Sequence, residues 1–518
     1  MSTRLLRFAL PFCVIVAAAA AHSAPSPLVR ITVDVVDAGP ADAGQTSAQD
    51  GGVGGVDGAV AGDGGAAPAE GWGVKIAELL RHPSLKGALT SLHAVNIKTG
   101  ATVCASAPDL LVNPASVTKV VTAAAALEYL GPHYQFETRI YLDAFPEDGA
   151  AEGNVYFKGF GDPQLTSERV FLMVGEIMQQ GLKKVSGDLV IDDTWFDDER
   201  EPRGWDRVRG EGAYYAGTGA FSVNFNSVTV NVKGGPEGKP ALVTIEPPIP
   251  FVKLVNKTTT SAKGRREISV KIKPAKGGEE VTVSGKIASD DEKTYYRRVS
   301  NPPLYAAHLV RETMKMRGFK IGGKIKIGKV PGEAELFHVY HSLRLAAIAR
   351  DMNKSSNNFT AEQVLKVIGG GGDQPASFDK GLVVMEQFLE KTGVKKGTYT
   401  MTNGSGLSHQ NRFSSAQIVK VLQYVYGQWR YMPDFVSSMS IAAGDGTVRK
   451  RYRGSPAAYL LRAKTGSIDG VASLCGYVPN AAGDLLAFSV ITNGFPPKKY
   501  REITHIQDDI ASALAESR

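Results

Sequence analysis

The sequence predicts an α/β protein, a helix-and-sheet body interrupted by a large, mostly-β insertion. Three observations carry this. Helix and strand patterns alternate at both ends of the chain: an Ala-rich apolar helix at Val120 to Leu130, helical periodicity at Leu343 to Met352 and again from Ala361, and strand-like runs at Leu92 to Ile97, Thr102 to Ala105, Val471 to Val478 and Leu485 to Thr492. Between them, from about Arg139 to Pro331, the chain reads as short alternating strands, at Val155 to Lys158, Leu189 to Ile191, Ser227 to Val232, Ile268 to Ile272 and Val281 to Ser284. Finally, 518 residues of which 43% are hydrophobic suffice for two to four domains with real cores. With 21% charged residues and no sustained apolar spans, that excludes a wholly disordered, collagen-like or polytopic membrane chain.

Residues 1–24 read as a secretory signal peptide. Arg4 and Arg7 precede an apolar run from Phe8 to Ala21, and the small residues Ala21, Ser23 and Ala24 follow. The run is short for a bilayer span, which needs roughly 20 residues; an uncleaved anchor or a buried helix are the other readings. Residues 25–72 form a low-complexity linker: 20 of the 34 residues from Ala38 to Gly71 are Gly or Ala, too few apolar side chains to offset the entropy of ordering them. The folded body is expected from about Trp72. Export leaves two cysteines, Cys104 and Cys475, too few for a disulfide framework.

Three short strings carry chemistry. Asn113-Pro114-Ala115-Ser116-Val117-Thr118-Lys119 leads into the apolar helix, which stops at Gly131-Pro132, so Ser116 sits at its start and Lys119 one turn on, on the same face. A serine hydroxyl needs a base within reach, and a lysine serves when burial or a second cation lowers its pKa. Ser377-Phe378-Asp379-Lys380 has the same spacing, but Ser377 reads more simply as a helix cap. The second string is Lys354-Ser355-Ser356-Asn357, on a turn between two helical patterns, where Ser355 and Asn357 are able to face one cleft; a polar helix-helix connection is the plainer reading. Ser222-Val223-Asn224 also fits, inside a strand-like run. The third, Lys-Thr-Gly, occurs three times. Gly100 reads as the turn residue of a hairpin and Gly393 as a helix C-cap, whereas Lys464-Thr465-Gly466 extends the run Tyr459 to Ala463 as a strand, with two strands following.

Ser-x-x-Lys, Ser-x-Asn and Lys-Thr-Gly in that order resemble the signature of penicillin-binding proteins and serine β-lactamases. Ser355 follows Ser116 by 239 residues and Lys464 follows Ser355 by 109, leaving room for a domain-sized insertion. With Gly161-Asp162-Pro163-Gln164-Leu165-Thr166, Asn403-Gly404-Ser405-Gly406-Leu407-Ser408 and Asp445-Gly446-Thr447, the chain from roughly 75 to 515 is similar to D-alanyl-D-alanine carboxypeptidase/endopeptidases of the penicillin-binding protein 4 type. One departure is Ser356, where such turns often carry an acidic residue.

The resemblance implies a transpeptidase-like domain, an antiparallel sheet flanked by helices, split into residues 73–138 and 332–518 around inserted domains at 139–331. In that fold two strands separate those of Cys104 and Cys475, about 14 Å at roughly 4.8 Å per step, so both are expected to be free thiols. The implied chemistry is an ester on Ser116. Lys119 takes its proton, Ser355 relays a proton to the leaving nitrogen and Asn357 orients Lys119 and the substrate amide. Lys464 and Thr465 hold the terminal carboxylate or raise the local potential, Gly466 and Ser467 complete the substrate-binding positions, and the backbone N–H groups of Ser116 and Ser467 polarise the carbonyl. The implied substrates are peptidoglycan stem peptides and cross-links, and the implied inhibitors β-lactams; the signal-peptide pattern points to export, with the periplasm as the expected location.

No cofactor is expected: the nine His are scattered and the His-Glu-x-x-His pattern is absent. His409 reads as a surface loop histidine, with substrate contact as the alternative. Residues 220–282 carry ten Lys and Arg against five Glu, a solvated basic face or a docking face for an anionic polymer; no basic-aromatic motif points to nucleic acid. The rival readings are a β-lactamase-like hydrolase, which would want a glutamate loop not found here, and a non-catalytic wall-binding scaffold, against which the intact motifs argue.

Overall fold

The computed structural model describes residues 71–205, 210–371 and 375–518. The expected signal peptide and almost all of the linker lie outside the described residues. The body begins with a helix at Gly71–Leu80, one residue before the expected Trp72.

A six-stranded antiparallel sheet organises the body, in the order Ser440–Ile441, Arg462–Ile468, Val471–Pro479, Leu485–Asn493, Leu89–Asn96, Thr102–Ser106. The N-terminal and C-terminal parts of the chain meet where Leu89–Asn96 pairs along its whole length with Leu485–Asn493, from Leu89↔Asn493 to Asn96↔Leu486. Both faces are covered. Leu486, Phe488 and Val490 face the layer made by Gly71–Leu80 and Tyr500–Glu516, while Ala487 and Ile491 face the layer of helices around Thr118–Tyr129. A strand buried on both faces reads as an unbroken apolar run, as Val471 to Val478 does. Cys104 and Cys475 stand on strands separated by two others and are free thiols, as the strand order required.

The helix Thr118–Tyr129 is buried on every side, from Thr118 through Leu127. Its four consecutive alanines make it slim enough to be surrounded, and Gly131 at φ +83° ends it. Leu345–Ser355, Asn358–Ile368, Phe378–Lys391 and Ser415–Tyr426 supply the layer around it.

The insertion contains every strand the sequence predicted, with two helices it did not. A five-stranded mixed sheet runs Ile325–Ile327, Leu189–Asp192, Val155–Gly159, Gln135–Leu142, Glu335–Arg344. Helices Ser167–Gln179 and Pro302–Met316 contribute Val170, Met173, Tyr305 and Val310 to its core. Two three-stranded sheets, Val252–Ser261 with Gly278–Ala288 and Glu267–Ala275, and Glu292–Arg298 with Ser227–Lys233 and Leu242–Glu246, share a smaller core of Val230, Val270, Val281 and Val283. The five-stranded sheet begins and ends on neighbouring strands, Gln135–Leu142 antiparallel to Glu335–Arg344, so edges at 139 and 331 would cut its first strand and leave out its last.

The insertion is fastened to the helix Asn358–Ile368. Lys366 is fully buried, donates to Asp197 Oδ1 and to Glu199 O, and its ammonium lies over the rings of Phe196 and Phe378. Gln363 exchanges two hydrogen bonds with the backbone of Gly219. Lys366 is buried while the Asp197 side chain is 31% exposed, so Asp197→Ala is expected to lower stability by about 2 kcal/mol in urea unfolding, between an exposed and a fully buried pair; a midpoint matching the parent's would mean that Lys366 is neutral or solvated there.

Candidate active site

Ser116 lies in a single 3₁₀ turn, Ala115–Val117, at the head of the buried helix. The turn is held from three sides: Asn113 Oδ1 accepts from Ala115 N at 2.8 Å, Asn113 Nδ2 donates to Ser408 O at 2.8 Å, and Thr118 Oγ1 donates to Ala115 O at 2.8 Å. Ala115 itself sits at φ +45°. Gly406 is required against it, since a Cβ there would stand 1.9 Å from Ala115 O, with φ at +76°.

Lys119 is fully buried, and its amine donates to Ser116 Oγ at 3.0 Å, Asn358 Oδ1 at 2.7 Å and Ser405 O at 2.6 Å. Burial holds its pKa well below the ordinary lysine value and the nearby Lys464 charge lowers it further, against an opposing pull from Glu362. Glu362 is buried too; its carboxylate accepts from Gly404 N at 3.0 Å and Ser405 N at 2.8 Å, fixing the loop whose carbonyl receives Lys119. Burial pushes the Glu362 pKa up.

Lys464 is the second buried amine. It donates to Ser356 Oγ at 2.8 Å and Thr465 O at 2.6 Å, and burial brings its pKa down to about 7. Thr465 Oγ1 bonds Thr447 Oγ1 at 2.8 Å, drawing in the Asp445-Gly446-Thr447 segment. Gly466 lets the strand Arg462–Ile468 run against the serine turn: a Cβ there would meet Ser473 Oγ at 2.2 Å, Pro114 O at 2.6 Å and Ser116 N at 2.9 Å. Ser467 follows at the exposed end of that approach.

Ser116, Lys119, Lys464, Thr465 and Gly466 therefore converge as the motif order suggested. The second motif does not fall in the expected register. Ser355 is exposed and donates its hydroxyl to Asp351 O, within its own helix. Asn357 caps the next helix, accepting from Thr360 N at 3.0 Å. The residues that reach the two lysines are Ser356 and Asn358, one position on. The cause is local: the first helix extends to Ser355 and the second starts at Asn358, so the connection is only Ser356-Asn357, with Ser356 at φ +56° turning its hydroxyl into the cleft. The middle residue of the turn is thus Asn357, not Ser356. Ser-Ser-Asn-Asn fits Ser-x-Asn in two registers, and the signal that separates them is Asn357 as an N-cap three residues before Thr360. Glu362 and the Ser405 carbonyl had no motif to mark them.

The other candidates lie elsewhere. Ser377 caps Phe378–Lys391, accepting from Lys380 N at 3.2 Å, and Lys380 turns to Pro375 O. Asn224 belongs to a turn at φ +47° before the strand Ser227–Lys233, rather than to a strand. Gly100 at φ +74° and Gly393 at φ +80° are turn and helix-end residues. His409 is exposed.

A serine hydroxyl held against a buried, desolvated amine at the edge of an antiparallel sheet is the constellation of a serine hydrolase that uses lysine where others use histidine. Residues 73–516 match the D-Ala-D-Ala carboxypeptidase 3 (S13) family, and the chain belongs to it. It is a serine peptidase. It is 33% identical over 472 residues to the D-alanyl-D-alanine carboxypeptidase of Actinomadura sp. (strain R39), covering 87% of each chain. The crystal structure of penicillin binding protein 4 (dacB) from Haemophilus influenzae superposes with a TM-score of 0.73 at 24% identity, over 85% of this chain and 99% of that one. The same protein complexed with a β-lactam gives 0.68 at 23% identity, over 84% and 98%.

A lysine whose pKa is lowered by folding opposes folding most where it is charged in both states. For Lys464 that is below about 7, and the cost falls away as pH rises toward the unfolded value of 10.5. Lys464→Met should therefore gain Tm relative to the parent more at pH 6 than at pH 10; equal differences at the two pH values would refute the depressed pKa.

Proposed function

We propose that the chain cleaves the D-Ala-D-Ala terminus or the D-Ala cross-link of peptidoglycan stem peptides through an ester on Ser116, and that β-lactams acylate the same oxygen. The observation that carries this is the 3.0 Å contact between Ser116 Oγ and the amine of the fully buried Lys119. Lys119, neutral, takes the hydroxyl proton as Oγ attacks the penultimate D-Ala carbonyl. The N–H groups of Ser116 and Ser467, on chain segments brought together at Gly466, stabilise the oxyanion. As the C–N bond breaks, the proton returns through Ser356 to the leaving amine; Lys464 holds Ser356 and, when charged, meets the substrate's terminal carboxylate beside Thr465. Asn358 keeps the Lys119 amine aimed at Ser116. Water then hydrolyses the ester.

This substrate lies outside the cytoplasmic membrane, so the Arg4, Arg7 and Phe8 to Ala21 pattern is read as an export signal, with the periplasm as destination. Among the described residues no helix is long and apolar enough to cross a membrane.

Intact-protein mass spectrometry after brief exposure to benzylpenicillin, with a peptide map of the adduct, tests the reading. The adduct is expected on the peptide containing Ser116, absent in Ser116→Ala and unchanged in Ser377→Ala. Ser356→Ala should slow acylation on the order of 10²-fold, the scale of a lost proton relay, whereas Ser355→Ala should stay within about twofold; the opposite ranking would restore the Ser355 register. Penicillin hydrolysed without an adduct would favour a β-lactamase, and penicillin left intact a scaffold.

The pH profile follows from the two amines. kcat/KM for a D-Ala-D-Ala peptide should rise as Lys119 loses its proton and fall as Lys464 loses its own, near 7. A bound carboxylate favours charged Lys464, so the falling limb in kcat should lie at higher pH. A falling limb at the same pH in both would remove the carboxylate from Lys464.

A further inference from the structure

We propose that Arg298, in the inserted β-module, is a positioning residue for the active site, acting through the turn Glu211–Tyr215 on the side-chain amide of Asn358; the role rests on the acyl-transfer reading above. Asn358 has two faces to satisfy. Its oxygen receives Lys119 at 2.7 Å, and its Nδ2 donates to Tyr214 O at 3.2 Å. An amide rotated by 180° would turn an N–H toward the lysine amine, occupying the lone pair that must accept the Ser116 proton. The Tyr214 carbonyl is the acceptor that sets the productive orientation.

That carbonyl belongs to a 3₁₀ turn, Ala213–Tyr215, preceded by Gly210 and Gly212; the Tyr215 ring meets the buried Trp205, but Tyr214 itself is 58% exposed. Its polar ties come from the strand Glu292–Arg298. The Arg298 backbone N–H donates to Glu211 O at 3.0 Å, and Gly212 bridges to Arg297. The Arg298 guanidinium donates to Tyr215 O at 3.0 Å and pairs with Glu201, tying the far end of the turn to the segment that precedes it. Arg298 thus grips the turn on both sides of Tyr214 while touching neither Ser116 nor Lys119. Both side-chain bonds leave the same nitrogen, Nη1, so one cationic nitrogen at this reach holds the Glu201 carboxylate and the Tyr215 carbonyl at once.

The test is a double-variant cycle read by benzylpenicillin acylation of the full chain, with Tm recorded for each variant. Arg298→Met, which keeps the length of the side chain, is expected to slow acylation at least tenfold with Tm close to the parent's, and Arg298→Lys to recover most of the rate. In an Asn358→Ala background the same Arg298→Met change should alter the residual rate less than twofold, because its effect passes through Asn358. An equal loss in both backgrounds, or an Arg298→Met rate equal to the parent's, overturns the proposal. Should Arg298→Met fail to fold, Arg298→Gln enters the same cycle and is judged by the same two ratios. A parent that takes no adduct sinks the acylating-serine reading and this role with it, whereas a parent that acylates while Arg298→Met keeps pace sinks this role alone.

Discussion

Two lysine amines buried close enough to repel each other are the constraint around which this site is built. Each ammonium costs several kcal/mol to desolvate, and among the described residues neither has a carboxylate in direct contact. The fold meets this with neutral oxygens: Ser116, Asn358 and the Ser405 carbonyl around Lys119, Ser356 and the Thr465 carbonyl around Lys464. Charged, Lys119 donates to all three of its oxygens; neutral, it keeps two of those bonds and accepts from the Ser116 hydroxyl, whereas a carboxylate at contact would hold it charged. The acid that acts on Lys119, Glu362, is occupied by the backbone of Gly404 and Ser405 and acts only from a distance. Both amines are therefore poised to exchange protons rather than to form ion pairs.

The helix Asn358–Ile368 shows how such a site is kept rigid. From Phe359 to Ile368 every residue is buried, yet Asn358, Glu362 and Lys366 follow one another at four-residue intervals along one stripe. Each has a matched partner: Lys119 for Asn358, the Gly404-Ser405 backbone for Glu362, Asp197 for Lys366. A polar stripe inside a buried helix fixes the helix about its axis, because a small rotation would unpair all three. The stripe also joins the lysine site at one end to the inserted module at the other.

The sequence was informative where chemistry and periodicity coincide. Ser116 and Lys119 lie one turn apart and the doubly covered strands appear as continuous apolar runs, so both were legible; Gly466 was legible as a motif position, its close approach to Ser116 N only in the structure. Ser356 and Asn358 were not, because two adjacent serines and two adjacent asparagines permit two registers and only the helix ends choose between them. The helices Ser167–Gln179 and Pro302–Met316 were missed because they lie among strands whose alternation dominated the reading. Glu362 looked like any acid on a helix; its burial depends on Gly404 and Ser405, more than forty residues away.

The pairing of Gln135–Leu142 with Glu335–Arg344 has a consequence for chain entropy. A segment that leaves by one strand and returns by its neighbour has its ends fixed one strand spacing apart, about 5 Å, whatever lies between. The entropic cost of closing it then grows only logarithmically with length, by about 0.6 kcal/mol per doubling. Nearly two hundred residues are thus inserted at a cost little above that of a much shorter connection. The lengths of strands and loops inside the module are free to vary without altering the geometry at the point of attachment.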